Sequence, residues 1–570
     1  MSRLVTRRAF LRTSALAAAA TVVGCRAAPA PTPTAQGTDG VAATQVPATV
    51  APVETPQAQP SPTSEIKRGG VLRFGEVVSD FAYLDPVGAF NVSDWWVVMN
   101  LLFNGPYDYD ADYNLVPELA ADRPKISDDA MVYTIPFRKD VRFHNGRLMT
   151  AHDVKFAFER SFWPATQSWL KGYTWFVEGL DEVREGKATE VSGLRVLDDF
   201  TLEVRLTQPQ ATFLQMFTYP CWCAIPKQEV LDAGEDWGSK VVIGTGPFRF
   251  VSAEPAQKMV LERNPDYFKP GLPYLDGVEI RLQLPGAVAV LMWEQGELDV
   301  TQFPAEDLER LLSDPKYEPA VQGPTSGLNI VRLSIHTKTK PFDDVRVRQA
   351  IAMAIDKEAL IRQYAGRGWT YEGFYAKGMW QFDPNFKSKW QYNPQRAKEL
   401  LAEAGFPNGT PEVLMAAYPG PVTEMVQADL RAVGINVVIA QSQQATYEAQ
   451  ISGEVPLAIY GWGDSITDAY AFVGAWITCA SSQVSDPVNT AMYCNPRIDE
   501  LLAKAEALPP LSPERLAIYR EIDDFVINQD VATVGLYNES NFLLYQDYVR
   551  NAPYSATYYH PYLEEAWLDK

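Results

Sequence analysis

Histidines and acidic residues are the side chains through which this chain could perform catalysis, and their spacing favours no catalytic site. The chain has four histidines and lacks the HExxH, GxSxG and phosphate-loop motifs. His144 and His152 flank a turn, but a zinc site needs a third ligand, so a structural or exposed role is predicted. Carboxylate pairs for glycoside hydrolysis occur in any acidic chain, which leaves a tethered hydrolase as an alternative. We expect a protein without enzymatic activity, metal site or cofactor.

Binding requires different residues, namely a cleft with aromatic faces and a few fixed polar groups. The stretch from Ile459 to Asp468 fits this requirement best, because it is a strand that ends in a loop with Trp462, Asp464 and Asp468. The 14 tryptophans of the chain would also suit stacking on sugar rings. Large aromatic residues more often lie in the core, so core packing is the alternative for each of them.

The elements that would position such a site are clearest between Tyr133 and Arg160. Apolar residues alternate with polar ones from Tyr133 to Phe143, which predicts a half-buried strand. Asn145-Gly146 predicts a tight turn, because both residues tolerate positive φ. Thr150 with Asp153 three residues later predicts a capped amphipathic helix. The segment is therefore strand, turn and helix of an α/β protein.

Length and charge limit the organisation and the partners. A chain of 570 residues is too long for one hydrophobic core, so two or three domains are expected. The formal net charge is −21. A chain this acidic repels phosphate backbones, so nucleic acid is not an expected partner.

The first 65 residues have the order of an export signal followed by a tether. Arg7-Arg8 precedes a short apolar run that ends at Gly24-Cys25, and the run is too short to span a membrane permanently. The paired arginines resemble a twin-arginine signal, and the residues before Cys25 resemble a lipobox, whose cysteine carries the lipid. Residues 26–65 are rich in Pro, Ala and Thr, which predicts a disordered tether. We expect a lipid anchor at Cys25 that holds the protein at the outer face of the cytoplasmic membrane.

The four remaining cysteines fall into two pairs. Cys479 and Cys494 could close a short loop in an oxidising compartment, and a disulfide is predicted there. Cys221 and Cys223 are separated by one residue, which is too close for an unstrained disulfide. They are predicted to be buried thiols.

Several sequence blocks resemble one family in their order along the chain. These blocks are FHNG followed by TAHDVKFAFER, GTGPFRF, LERNPDYF, GELDV and PFDDVRVRQA. The chain is similar over these blocks to the extracytoplasmic solute-binding proteins of ABC importers, in the family of the dipeptide, oligopeptide and nickel binders. The resemblance extends from about Gly69 to about Asn551.

The resemblance implies a large two-lobed periplasmic-binding-protein fold of type II, with a hinge and an interlobe cleft. It also implies a monomer that captures a small solute and docks on a membrane permease driven by a partner ATPase. The expected division is an export signal at 1–25, a tether at 26–65, lobe I at 66–112, 240–333 and 532–570, an inserted subdomain at 113–239, and lobe II at 334–531.

The resemblance also places the ligand near the stretch around Trp462. Peptide-binding members have an aspartate three residues after this tryptophan, which receives the α-ammonium group of the ligand. Here Asp464 follows by two residues and Asp468 by six. An oligopeptide and an oligosaccharide both stay open as the ligand, and a sensor or chaperone lipoprotein is a further alternative. The predicted ligand-binding residues are Tyr83, Trp95, Trp369, Tyr371, Trp462, Asp464, Asp468 and Trp476.

Overall fold

The computed structural model describes most of the chain from residue 65 onward, and the predicted signal and nearly all of the tether lie outside it. The described residues are 65–77, 83–88, 96–110, 114–166, 168–172, 175–364, 367–417, 420–440, 453–463, 466–482, 489–555 and 560–570. Among these residues, no helix combines the length and the hydrophobicity that a membrane span needs.

The strands, numbered in chain order, are β1 Val71–Gly75, β2 Tyr107–Tyr109, β3 Leu115–Pro117, β4 Lys125–Ile126, β5 Val132–Pro136, β6 Leu194–Asp198, β7 Thr201–Arg205, β8 Phe248–Glu254, β9 Lys258–Arg263, β10 Gly277–Arg281, β11 Val300–Thr301, β12 Val321–Ile335, β13 Gly368–Trp369, β14 Val413–Ala416, β15 Val437–Ala440, β16 Leu457–Gly463, β17 Thr533–Tyr545, β18 Val549–Arg550 and β19 Trp567–Leu568.

The α-helices, numbered likewise, are α1 Ala151–Phe162, α2 Leu180–Arg184, α3 Phe213–Met216, α4 Lys227–Ala233, α5 Gly286–Glu294, α6 Leu308–Ser313, α7 Val345–Ala354, α8 Lys357–Gln363, α9 Pro394–Glu403, α10 Pro421–Val433, α11 Tyr470–Ile477, α12 Pro496–Glu506 and α13 Pro513–Asp523. Val97–Leu102 and Asp524–Gln529 are π-helical. Short 3₁₀ turns occupy Trp169–Gly172, Pro220–Trp222, Gly234–Asp236, Ala305–Asp307 and Glu318–Ala320.

Two long strands carry the main sheet from one lobe to the other. The sheet order is β15-β14-β16-β12-β17-β11-β1-β10-β9-β8, with β13 added on β17. β12 and β17 pair antiparallel along their lengths, and the register shifts between Gln322 and Thr325, between Ser326 and Ile330 and at Arg332. The segment from Asn329 to Ile335, which also pairs with β16, forms the second half of β12. Strands that cross between lobes in this way serve as a hinge.

The predicted strand, turn and helix near residue 133 is confirmed in outline and corrected in its first part. β5 ends at Pro136, and the alternating residues that follow it form isolated bridges, Phe137 with Ala120 and Arg142 with Leu148, in place of a strand. Val141 and Phe143 are nevertheless buried. The alternation of apolar and polar residues therefore indicated correctly which side chains are buried, although no strand ladder forms there. The backbone N–H of Thr150 donates to the Asp153 carboxylate at 2.9 Å, which caps α1 as predicted.

The blocks FHNG and GTGPF meet at one packing junction in the first lobe. The N–H of Gly244 donates to His144 Nδ1 at 3.1 Å, and His144 Nε2 lies 3.1 Å from the Gly246 carbonyl oxygen. Burial lowers the pKa of His144 to about 4, so the ring is neutral. A Cβ at Gly244 would lie 1.9 Å from the Leu102 carbonyl oxygen, so only glycine permits the two backbones to approach this closely. These blocks therefore build the fold.

The cysteines of the body differ sharply in state. Cys479 and Cys494 form a disulfide beside α11 and α12. Cys221 and Cys223 are buried free thiols, and burial raises the pKa of both well above the ordinary range. A thiol that stays protonated is unreactive, so the buried pair contributes packing.

Candidate functional site

Strand ends of both lobes meet where β12 and β17 cross. β1 and β10 run parallel to β11, and β11 runs antiparallel to β17, so the carboxyl ends of β1 and β11 point back toward the second lobe. β14 and β16 are parallel to each other, and β16 ends with Gly463 opposite Asn329 of β12. Ligands of α/β folds bind beyond the carboxyl ends of strands, which places the candidate cleft at this junction.

A buried histidine and carboxylate lie on the first-lobe side of the junction. Glu76, one residue beyond β1, is fully buried, and its carboxylate lies 2.7 Å from His560 Nε2. The His560 ring stacks on Trp96 with centroids 4.5 Å apart. Gln302, one residue beyond β11, accepts the Val77 N–H at 3.0 Å. The ends of β1 and β11 are thereby fixed to each other and to the C-terminal segment.

A buried ion cluster joins the loop after β16 to the other lobe. The Arg515 guanidinium donates to both carboxylate oxygens of Asp468, and one of its nitrogens also donates to Glu506 at 2.5 Å. The second carboxylate oxygen of Glu506 accepts the Thr212 hydroxyl at 3.2 Å. With the boundaries expected from the sequence, Glu506 falls in lobe II and Thr212, which precedes α3, falls in the subdomain inserted in lobe I. The bond joins these two parts of the chain away from the crossing strands.

Apolar residues extend this interlobe contact on both sides. Ile466, from the loop after β16, is fully buried within the core around α1 and α3. Phe176 of the first lobe packs in the other direction, against the core that contains α11, α12 and α13. The segment that follows Trp462 therefore takes part in holding the two lobes together.

Three of the predicted ligand-binding residues lie in the interior of the second lobe. Asp468 is 1% exposed, and besides Arg515 it accepts hydrogen bonds from Trp380 Nε1 at 2.7 Å and from Gln381 Nε2 at 3.0 Å. Tyr371 and Trp476 are 5% and 6% exposed and belong to one core cluster. Tyr371 also lines a surface pocket together with Lys357 and Glu372. A ligand contact of these three residues stays a prediction.

The other predicted residues have varied positions. Trp369, in β13, is half-buried beside the crossing strand β17. Tyr83 is half-buried, and its ring lies where a side chain on Gly88 or Gly238 would have to be. Trp462 pairs with Ile330 through the backbone ladder. Cys25, Trp95 and Asp464 lie outside the described residues.

Sequence reasoning missed the residues that organise the site. Arg515 and Glu506 were not singled out, although Arg515 lies one turn before the buried Tyr519 on the same face of α13. Glu76 was missed although it directly follows the first strand. Such charged residues can be recognised from their position at a strand end or on a buried helix face, but their partners lie far away in the sequence.

The comparisons with known proteins agree with this arrangement. The family model described as bacterial extracellular solute-binding proteins, family 5 Middle, matches residues 114–483. The chain belongs to this family. The heme-binding protein A of Haemophilus influenzae is 30% identical over 429 residues, covering 71% of this chain and 76% of the relative. The glutathione-binding protein GsiB of Pectobacterium atrosepticum is 29% identical, covering 79% of this chain and 85% of the relative.

Solved structures place the whole described body in the same architecture. The periplasmic binding protein DppA from Helicobacter pylori, in complex with the peptide STSA, has a TM-score of 0.76 with 25% identity and covers 88% of this chain and 99% of its own. The protein is thus a two-lobed periplasmic-binding-protein of type II and a family 5 solute-binding protein of ABC importers, as the sequence blocks predicted. Members of this family bind their substrates without a chemical reaction.

Proposed function

We propose that this protein is an extracytoplasmic lipoprotein that captures an oligopeptide-like solute between its lobes and delivers it to an ABC permease with its ATPase subunits. The observation that carries the proposal is the meeting of strand ends from both lobes at β12 and β17, together with the interlobe contact between Glu506 and Thr212. A solute held there touches both lobes and stabilises the closed form by its differential affinity for it.

The relatives are named for peptides and also for other solutes, which favours a peptide-like solute here. Relatives include an oligopeptide-binding protein of Escherichia coli and a di/tripeptide-binding protein of Pseudomonas aeruginosa, as well as heme and glutathione binders. An oligosaccharide is the second candidate, because flat tryptophan faces near the crossing strands suit sugar rings.

The proposed ligand contacts are the residues of the junction whose side chains are not fully enclosed in the protein core. Trp369 lies on β13, which pairs with β17, and Trp462 lies on β16, which pairs with β12. Asp464 follows β16 in the sequence. Tyr83 and Trp95 follow β1 in the sequence. Asp464 would receive an ammonium group of the solute, an ion pair that is strong when water is excluded. We further propose that Cys25 carries a lipid, that residues 26–65 give the body reach, and that the protein acts as a monomer.

Thermal unfolding against a ligand panel tests the proposal. The purified protein would be heated with di- to pentapeptides, oligosaccharides, opines and nickel chelates. Binding to the native state alone stabilises it by about 2.7 kcal/mol at a hundredfold excess over Kd, so peptides should raise the midpoint. A rise with oligosaccharides and none with peptides would contradict the peptide assignment, and turnover of any panel member would contradict a pure binding function.

A further inference from the structure

A hydrogen bond ties together two parts of the chain that a movement about β12 and β17 would separate. The Thr212 hydroxyl donates to Glu506 Oε2 at 3.2 Å, and both residues are buried. Thr212 lies in the subdomain expected at 113–239, which is attached to lobe I because His144 bonds to the backbone at Gly244. Glu506 lies in the expected lobe II. The bond therefore has to break when the lobes open.

The Glu506 carboxylate is held in place for this bond by its own lobe. The Arg515 guanidinium donates to Glu506 Oε1 at 2.5 Å and is itself fixed by both carboxylate oxygens of Asp468. Oε2 faces Thr212, which offers its hydroxyl and, at 3.5 Å, its backbone N–H. Within the described part of the chain, no other residue donates to this oxygen. Arg515 thus presents a preorganised acceptor to Thr212, which lowers the entropy cost of the contact.

Two apolar side chains, one from each part, cross the same contact in opposite directions. Ile466, two residues before Asp468, is fully buried in the core that contains α1 and α3. Phe176 packs against the core of α11, α12 and α13. Its carbonyl oxygen accepts the N–H and the hydroxyl of Thr207 at 2.7 and 3.3 Å, which fixes its backbone. Opening would expose both apolar side chains to water, which the hydrophobic effect opposes.

We propose that Thr212, Glu506, Ile466 and Phe176 form a latch that closes the lobes in part of the molecules before any solute is bound. These residues are not among the proposed ligand contacts. A solute that binds only the closed form has an apparent Kd equal to its intrinsic Kd divided by the closed fraction, so the latch sets the affinity of the protein. The latch goes beyond the proposed function, because it acts in the empty protein.

A distance between the two parts, measured without solute, tests the latch. Leu231 of the expected subdomain and Leu511 of lobe II are replaced by cysteine and spin-labelled in the full chain. Cys25→Ser completes the labelled chain, because the free thiols of the described residues are buried. The empty chain should show a shorter and a longer distance. Thr212→Val and, separately, Phe176→Ala should each lower the ratio of shorter to longer by about threefold, the effect of one lost hydrogen bond or one lost apolar contact.

A second threonine of the same subdomain is the matched control. The Thr218 hydroxyl donates to the Gln215 carbonyl oxygen inside the subdomain, so Thr218→Val should leave the ratio unchanged. The latch is overturned if the empty chain shows only the longer distance, if Thr212→Val or Phe176→Ala leaves the ratio unchanged, or if Thr218→Val lowers it equally. None of these results bears on solute capture, which the ligand panel tests separately.

Discussion

Replacement of Arg515 by methionine should lower the free energy of unfolding by about 3 to 5 kcal/mol, the loss expected when one partner of a buried ion cluster is removed. Arg515 is fully buried, and it is the cation that both Asp468 and Glu506 contact. Without Arg515, the buried carboxylates of Asp468 and Glu506 repel each other in surroundings of low polarity, and no cation offsets their charges. The loss is measured by chemical denaturation at pH 7.

Two control variants show whether the effect comes from the buried charges. Arg497→Met removes an arginine that is half exposed and pairs with Glu500 and Glu521, and it should cost no more than about 1 kcal/mol. A triple variant, Asp468→Asn, Glu506→Gln and Arg515→Met, should recover most of the stability, because no unpaired charge is left. A loss below about 1 kcal/mol for Arg515→Met would show that the cluster does not support the fold.

Replacement of Asp523 by asparagine should instead stabilise the protein at pH 8, by about 4 kcal/mol. Asp523 is 1% exposed, one carboxylate oxygen accepts the Phe374 N–H at 2.8 Å, and the other has no hydrogen-bond partner among the described residues. Burial raises its pKa to about 7, against the opposing effects of the Phe374 N–H and of Arg520. Asparagine keeps an acceptor for Phe374 and removes the buried charge.

The pH dependence gives this prediction its sign. Because the folded pKa lies above the unfolded value of 3.8, the contribution of Asp523 to stability is fully present below pH 3.8 and is lost as the pH rises through about 7. The advantage of Asp523→Asn should therefore fall to about 2 kcal/mol at pH 5. Chemical denaturation of both proteins at pH 8 and pH 5 measures the difference.

The adjacent residue serves as the matched control. Asp524 accepts hydrogen bonds from Gln529, Asn528 and Lys389, which lower its pKa despite its partial burial. Asp524→Asn should therefore bring no gain in stability at pH 8. If Asp523→Asn were no more stable than the wild-type protein at pH 8, the charge of the buried Asp523 carboxylate would not destabilise the folded protein, which would contradict the prediction.

The fold could be predicted because its signals are local and ordered. The turn at Asn145-Gly146 and the cap at Thr150 each dictate a backbone conformation within a few residues. The same blocks turned out to interlock, since His144 contacts the backbone of Gly244 and Gly246 a hundred residues away. Val141 and Phe143 show the limit of predicting strands from apolar alternation, because the pattern indicates which residues are buried but does not require a strand partner.

The site could be predicted only in part, because its decisive contacts join distant residues. The position of Asp468 near the end of β16 was visible, but its partner Arg515 is 47 residues away. An aspartate that binds a ligand cannot be distinguished in the sequence from an aspartate that pairs with an arginine. Likewise the aromatic pattern did not separate Trp369, which is half-buried at the crossing strands, from Trp476, which is buried in the core.

Closure of the two lobes on a captured solute is tested most directly by a distance measured between the lobes. Leu231 of the first lobe and Leu511 of the second are 52% and 63% exposed and can be replaced by cysteine for spin labels. Adding a peptide mixture that binds should shift the labels to one shorter, narrower distance distribution. An unchanged distribution while peptides bind would contradict capture between the lobes.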